Sequence, residues 1–400
     1  TQMFFQAVQA PTHDGRRHTL GFGSRGQAAL LGHRHKGLES FEFVHSEIIH
    51  GEKSKGSKLT PMQNTHHPSL MKRAVARLEF MLPVWFAMVM GWSGLAQAWV
   101  RSTPLLGDEA LGIGLVAAAF ALLVFVLLCA ASLVRWWAHP LAVMADMRHP
   151  VRHAFMAALP ISMLLLATLG AGLFWHVNAW LDSLIVITWW VGSVLELAAT
   201  VWVLSRWLKP KEDGGLQWPA ITPVMFIPIV GNVLAPLAGE QLGAGAWATA
   251  QMAIGLFLWP AVLTLLFVRM AQAGPLPPKL TPTLFVTLAP PSVLGLSFLQ
   301  LNAPAPLVWG MWGVALFFFL LCCTQLGVLR NLPFGMPHWG MSFPLAAFSA
   351  LSERASQLEG GAWLQMPATV LLALTSLVIL GLTLGTWRGL RHGHLLVAEH

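Results

Sequence analysis

The sequence has no tyrosine, three cysteines and few charged side chains, and each shortage excludes a class of protein. Charged residues make up 10% of the 400 positions and hydrophobic residues 56%, which leaves too little charge to cover a soluble domain of this size. The cysteines, Cys129, Cys322 and Cys323, form neither a C-x-x-C redox pair nor a zinc-ligand pattern. No glycine-rich phosphate loop, Gly-x-Ser-x-Gly elbow or His-Glu-x-x-His helix occurs. We therefore expect no enzyme, no metal and no cofactor.

Apolar segments long enough to cross a bilayer recur throughout the chain after residue 80. A helix needs about 20 apolar residues to cross the hydrocarbon core. The sequence therefore predicts an all-α integral membrane protein with a transmembrane domain at 78–390 and a cytoplasmic tail at 391–400. We predict ten transmembrane helices, at residues 81–100, 111–134, 154–175, 180–205, 220–238, 246–268, 281–300, 307–329, 335–352 and 366–387.

The basic residues support this count, because cytoplasmic loops of membrane proteins collect Lys and Arg. With these ten spans, basic and non-basic connections alternate strictly: one side carries 14 basic residues, and the other carries only Arg101 and Arg354. Both termini are therefore predicted to be cytoplasmic. The net charge of +7 comes from these loops and the N-terminus, and it suits an anionic lipid surface without any need for nucleic acid.

Residues 1–75 differ from the rest of the chain, and we expect a disordered polar extension. Eight of the 16 histidines lie there, including His33 and His35, but without Cys or a second ordered ligand pair a solvated tail is the better interpretation than a metal site. Met71 precedes Lys72 and the first span. A natural start at Met71 is a hypothesis that N-terminal peptide analysis of the native protein tests.

Prolines separate the spans into two groups. A proline inside a helix removes a backbone hydrogen bond and kinks the axis, which the bilayer tolerates best where neighbouring helices satisfy the freed carbonyls. The even-numbered spans hold only Pro260 and Pro367. We therefore predict kinked odd helices inside the bundle and smooth even helices facing lipid. The odd-numbered spans hold Pro83, Pro160, Pro223, Pro228, Pro236, Pro282, Pro290, Pro291, Pro337 and Pro344.

Hydroxyl and amide side chains follow the same odd spans, and Ser162, Asn232, Thr287 and Ser342 are predicted to give a pathway a mildly polar lining. Charge is scarce in the spans, and Glu196 is the clearest exception. A mid-membrane carboxyl must pair, become protonated or line a wet cavity. Structural pairing and a role in transport both remain open for Glu196.

Four segments in the odd spans resemble the tellurite-resistance and dicarboxylate transporter family, also called the voltage-dependent anion channel family. Its plant relatives are the slow-type anion channels of guard cells. The resemblance covers residues 78–390. The segments are HPVRHAFMAALPISMLLLATL from His149, ITPVMFIPIVGNVLAPLAG from Ile221, LAPPSVLGLSF from Leu288 and HWGMSFPLAAFSA from His338.

The resemblance implies five tandem helical hairpins with quasi-five-fold symmetry, odd helices lining one central pore per subunit, and a homotrimer. It also implies that Phe343, beside Pro344 in the ninth span, is the pore gate. A bulky apolar ring in a narrow pore would exclude water and block ions. Simple packing of Phe343 between helices is the alternative. Pro160, Pro228 and Pro290 are the corresponding predicted kinks of the third, fifth and seventh spans.

We expect a multi-pass anion channel or facilitative exporter of the bacterial inner membrane. Its cargo would be a small anion such as chloride, nitrate, a dicarboxylate or a tellurium oxyanion. Arg148, Arg152 and His153 would form a basic cytoplasmic vestibule that concentrates anions.

Two other classes remain open. A proton-coupled dicarboxylate or tellurite transporter would use Glu196. A haem-bearing anchor subunit would need axial histidines at similar depth on two helices, yet the histidines near the spans lie at span ends. These are His139, His149, His153 and His176.

Overall fold

The computed structural model describes residues 75–213 and 215–397, which are almost entirely helical and contain no strand. The predicted extension falls outside the described residues except for residue 75, as does the end of the predicted tail at 398–400. Each main helix overlaps one of the ten predicted spans. The helices are α1 (Ala87–Leu106), α2 (Asp108–Ala138), α3 (Ala158–Phe174), α4 (Ala179–Ser205), α5 (Ile227–Leu234), α6 (Gly245–Ala273), α7 (Ala289–Gln300), α8 (Ala305–Cys323), α9 (Ser342–Ala355) and α10 (Gln365–Arg391).

Seven helical segments in the described part of the chain are long and apolar enough to cross a bilayer. Five are the even helices, and two are the continuous segments Arg152–Phe174 and Pro278–Gln300, which contain α3 and α7. The other three odd helices are shorter or more polar, so the count of ten crossings stays a prediction. Short α-helices at Pro140–Arg148, Pro236–Gly239 and Leu326–Arg330 complete the α-helical structure.

Each odd helix is preceded by a stretch of 3₁₀-helix on its N-terminal side. A 3₁₀-helix is more tightly wound than an α-helix and is favoured in short pieces at helix ends. The odd spans are thus composite, with a 3₁₀ half followed by an α half. The five stretches are Pro83–Phe86, Arg152–Ala157, Pro223–Phe226, Pro278–Leu288 and Met336–Met341.

Half of the ten prolines of the odd spans, including one in each of α3, α5, α7 and α9, lie next to these junctions. Pro160, Pro228, Pro290 and Pro344 each occupy the second or third position of an α-helix that follows a 3₁₀ stretch. Proline has no N–H to donate, and the first turn of an α-helix is the part of the helix where proline is best tolerated. These prolines therefore mark where the α half begins, and they do not interrupt an α-helix in its middle.

Helix contacts join the odd helices into a closed ring. Consecutive helices pack as hairpins, α1 with α2 and so on to α9 with α10. Each odd helix also packs against the next odd helix, and the ring closes between α9 and α1. The even helices lie outside this ring. The arrangement separates an inner wall from an outer layer, as the proline pattern predicted.

Burial follows the same division. In the two odd segments that qualify as spans, 67% and 83% of the most apolar window is buried, against 22–33% in the five even helices. The even helices expose large apolar side chains, which suits contact with lipid tails. Examples are Val116 and Leu127 of α2, Val201 of α4, Phe257 of α6, Phe317 of α8 and Leu377 of α10.

Candidate functional site

Two cavities lie inside the ring of odd helices, and only the five odd spans line them. The first comprises about 530 Å³ of space between atoms, part of it open to solvent, and lies mainly at the 3₁₀ halves and the junctions. The second comprises about 230 Å³ counted in the same way and lies mainly between the α halves. The first is lined by Val84, Ala87, Met90, Phe155, Ala158, Val224, Ile227, Val230, Thr283, Val286, Ala289, Pro337, Trp339, Gly340, Phe343 and Pro344. The second is lined by Gly94, Gln97, Arg101, Leu165, Leu234, Leu237, Val293, Leu296, Phe343, Ala347 and Ala350.

Among the described residues, Phe343 alone lines both cavities. It is the second residue of α9, directly after a 3₁₀ stretch, and its side chain is 4% exposed. The 3₁₀-to-α junction therefore places the ring between the cavities. Pro344, the next residue, lines the first cavity only.

Two glycines of α1 allow α9 to approach closely at this level. A Cβ on Gly91 would lie 2.5 Å from the Oγ of Ser342, and a Cβ on Gly94 would lie 3.1 Å from Cδ2 of Phe343. Both distances are shorter than ordinary carbon contacts. The absence of side chains at Gly91 and Gly94 thus makes room for the first two residues of α9.

The predicted polar lining is not found. Among the described residues, Ser162, Asn232, Thr287 and Ser342 line neither cavity. The three hydroxyls donate to backbone carbonyls of their own helical segments, at Ala158, Leu284 and Trp339 respectively. A hydroxyl that satisfies itself this way has no need to face a pathway. The first cavity is consequently apolar, with Thr283 as its one hydroxyl-bearing residue.

Asn232 instead joins a buried polar network between α4, α5 and α6. Its Nδ2 donates to Thr200 Oγ1 at 2.6 Å and to the Pro228 carbonyl at 2.7 Å. The Nε2 of Gln251 donates to Asn232 Oδ1 at 3.2 Å, and Ser193 Oγ donates to Gln251 Oε1 at 2.6 Å. This network fastens the pore helix α5 to two outer helices. Pro160 and Pro290 are also buried and line neither cavity.

The backbone carbonyl of Glu196 in α4 accepts from Thr200 Oγ1 of this network at 2.9 Å, but the Glu196 carboxyl does not join it. Its side chain is fully buried, and neither carboxyl oxygen has a hydrogen-bond partner among the described residues. The carboxyl lies against Gly231 of α5, whose missing side chain leaves the space that it occupies. Gly231 falls between Val230, which lines the first cavity, and Leu234, which lines the second. Glu196 therefore lies behind the pore wall at about the depth of Phe343.

The predicted cytoplasmic vestibule is only partly basic. Arg148 is exposed, whereas Arg152 Nη1 lies 3.3 Å from Asp146 Oδ1. Asp146 is buried and also binds Arg135 Nη2 at 2.6 Å, so it offsets part of the positive charge. His153 does not line either cavity, because its ring is buried against protein.

Two polar residues that were not predicted as site residues, Gln97 and Arg101, line the second cavity from α1. Arg101 Nη1 donates to Gln97 Oε1 at 2.8 Å. Gln97 is buried, and its Nε2 lies 3.4 Å from the Leu165 carbonyl. A fixed positive charge therefore borders the pathway beyond Phe343. The sequence did contain a signal for Arg101, because it is one of only two basic residues on the side of the membrane that otherwise lacks them.

Known proteins similar to this chain are transporters and anion channels. An uncharacterized transporter of Methanocaldococcus jannaschii is 26% identical over 301 residues, which are 68% of this chain and 82% of that protein. The tellurite resistance protein TehA homolog of Haemophilus influenzae is 25% identical, over 68% of this chain and 80% of that protein. The S-type anion channel SLAH2 of Arabidopsis thaliana is 25% identical over 60% of this chain, and the match spans 46% of the plant protein.

The model of one protein family, described as voltage-dependent anion channel, matches residues 81–387. This match extends from the start of the first odd span to the last turn of α10 and so includes every described residue that lines either cavity. The ring of odd helices agrees with a multi-pass membrane protein. The chain belongs to the voltage-dependent anion channel family.

Proposed function

We propose that this protein conducts small anions through the ring of odd helices, as a channel or facilitative exporter, and that Phe343 is its gate. Family membership supports an anion as cargo. The position of Phe343 carries the gate assignment, because this one ring borders both cavities. A side chain that merely packed between helices would have no reason to face two cavities at once.

The physics of the block follows from the apolar walls. An ion that approaches the ring must shed water, and neither the ring nor the residues of the first cavity next to it replace that hydration. A constriction of this kind stops ions by excluding water. Rotation of the Phe343 side chain, or a small change at the 3₁₀-to-α junction, would join the cavities. The proposed gate thus consists of a single side chain.

The loop charges support one orientation of the protein in the membrane. The connections that precede the 3₁₀ halves carry the basic residues, so the first cavity would face the cytoplasm and the second the opposite side. We extend the proposal to ten crossings, cytoplasmic termini, a bacterial inner membrane and a homotrimer with one pathway per subunit. Chloride, nitrate, a dicarboxylate or a tellurium oxyanion are the cargoes to compare, the last because one relative is a tellurite resistance protein homolog.

Substitution of the gate tests the proposal. Phe343→Ala should raise anion flux into liposomes by at least tenfold, because it removes the barrier between two existing cavities. Phe348→Ala is the matched control, since Phe348 is on the same helix, is 2% exposed and packs against Trp312 and Phe319, outside both cavities. Equal, unchanged flux in both well-folded variants would reject the gate.

Proton-coupled dicarboxylate transport is the second candidate, and one observation favours it. Glu196 is fully buried without a partner among the described residues, as expected of a carboxyl that binds a proton. Glu196→Gln keeps the shape and removes the exchangeable acid. If coupling is real, this variant loses pH-dependent uptake and keeps downhill anion flux; full pH dependence in Glu196→Gln excludes the candidate.

A further inference from the structure

α2 is longer than the hydrocarbon core of a bilayer is thick. Its 31 residues make a helix of about 46 Å, whereas the core measures about 30 Å. Trp136 and Trp137, in the last turn of α2, are exposed, as expected of residues in an interfacial aromatic belt. The chain then turns at His139, whose φ and ψ are −134° and 55°, and continues as the short helix Pro140–Arg148, the surface helix. The surface helix therefore begins where α2 reaches the lipid headgroups.

The surface helix has one buried face and one exposed face. The buried face holds Val143 and Asp146, which is the one acidic residue of this helix. On the exposed face, Leu141 is 79% exposed, and Met144 is exposed beside it. Trp137, Leu141 and Met144 follow one another at helical spacing. An exposed apolar face of this kind, without negative charge, is typical of a helix that lies in the membrane interface.

A second segment of the chain is bonded to the C-terminal end of the surface helix. Arg206 directly follows α4, and its Nη2 donates to the Arg148 carbonyl at 2.7 Å. Its Nη1 lies 3.2 Å from the Met147 carbonyl and 3.4 Å from the His149 carbonyl. A positive charge here complements the negative end of the helix dipole. Leu208, two residues beyond Arg206, is 89% exposed. Each of the two segments thus brings an arginine and an exposed apolar side chain to the same place.

The charges of these two arginines are not neutralised within the described residues. The ion pairs found there include neither Arg148 nor Arg206. A guanidinium has five N–H donors, so the three contacts of Arg206 with carbonyls leave at least two donors for another acceptor. Arg148 is exposed. A phosphate that approaches this junction therefore meets two positive charges with unused donors.

We propose that the surface helix together with Arg206–Leu208 is a docking site for an anionic phospholipid, in the leaflet on the side of the 3₁₀ halves. Arg148 and Arg206 would bind the headgroup phosphate, while Leu141 and Leu208 contact the glycerol backbone and the upper acyl chains. A zwitterionic lipid carries a cation beside its phosphate and fits two arginines less well. The site lies on the outside of the helix ring, so it goes beyond the proposed conduction of anions.

The test measures lipid binding by the full-length protein in detergent. The protein is titrated with phosphatidylglycerol or with phosphatidylcholine of the same acyl chains, and native mass spectrometry measures the affinity for each lipid. Phosphatidylglycerol should bind more tightly. Arg148→Gln should weaken its binding about fivefold, and Arg148→Gln combined with Arg206→Gln about 25-fold, because each basic residue at a lipid surface contributes about a factor of five. Lys279→Gln is the matched control, since it removes an exposed positive charge elsewhere on the same predicted side.

Leu141→Asn tests the apolar part of the site and leaves the charges in place. It should weaken phosphatidylglycerol binding at least threefold, because the apolar side chain no longer contacts the lipid. Unchanged affinity in folded Leu141→Asn would mean that the arginines bind a phosphate group alone, and would overturn the lipid site. Equal affinity of the unsubstituted protein for the two lipids, or equal weakening in Arg148→Gln and Lys279→Gln, would overturn it as well. Lipid affinity does not depend on anion flux, so each of these results leaves the proposed function standing.

Discussion

The Phe343 ring packs against Gly94, and an added Cβ at Gly94 would lie 3.1 Å from Cδ2 of that ring. Gly94 therefore belongs to the proposed gate as much as Phe343 does, because it provides the surface on which the ring rests. The contact joins α9 to α1, the two helices that close the ring. A substitution at Gly94 should therefore alter the effect on stability of a substitution at Phe343, and the reverse.

A double-mutant cycle tests this coupling. Gly94→Ala alone should lower the free energy of unfolding by about 1–3 kcal/mol, because the new methyl also meets Ala346 and overpacks the site. In a Phe343→Ala background the same change should cost less, with a coupling energy of about 1 kcal/mol. Thermal unfolding in detergent measures both costs. Additive costs would mean that the ring does not rest on Gly94.

A second cycle tests the position of Glu196. A Cβ on Gly231 would overlap the Glu196 carboxyl, so Gly231→Ala should destabilise the protein by about 1–3 kcal/mol. Gly231→Ala combined with Glu196→Ala should recover most of that loss, because the two changes exchange volume. Gly381→Ala on α10 is the control, since nothing lies within 4 Å of its added Cβ. Equal losses at Gly231 and Gly381 would contradict the arrangement.

Asp146 is predicted to hold the end of α2 to the start of the third span. Its buried carboxylate bridges Arg135 and Arg152, and Arg135 is itself buried. Asp146→Asn should cost about 3–5 kcal/mol, because it leaves a buried guanidinium without its counterion. Unfolding measurements check this value. Asp182→Asn, at the more exposed pair with His176, should change stability by less than about 1 kcal/mol.

Membrane orientation gives a prediction that is independent of transport. Lys209 follows α4 and Glu359 follows α9, and both are exposed. A thiol reagent that does not cross membranes should label Glu359→Cys in intact spheroplasts and Lys209→Cys only after permeabilisation, because the loop charges place the two positions on opposite sides. Labelling of both positions before permeabilisation would contradict the proposed topology.

Sequence analysis predicted the helices well because apolar length and loop charge are properties of contiguous residues. The prolines also divided odd from even correctly, since the buried segments are the proline-rich ones. The structural role of the prolines was harder to predict. Pro344 and Pro160 lie in the first turn of an α half that follows a 3₁₀ half. The choice between 3₁₀ and α geometry depends on packing that no local sequence pattern records.

The polar residues of the site were harder to predict. Ser162 and Thr287 satisfy their hydroxyls on their own helical segments, an option open to any helical serine or threonine and invisible in a count of polar residues. Arg101 was counted as a loop charge, yet α1 continues past it to Leu106 and its side chain lines the second cavity. The helix ends six residues beyond the predicted span, so Arg101 lies on the helix and borders a cavity, whereas the prediction placed it in a loop.

Anion flux through Phe343→Ala protein, compared with unsubstituted and Phe348→Ala protein in the same liposomes, tests the central claim most directly. The account predicts a large gain in anion flux for Phe343→Ala alone, because Phe343 is the described residue that lines both cavities. Flux that is the same in all three folded proteins would contradict it.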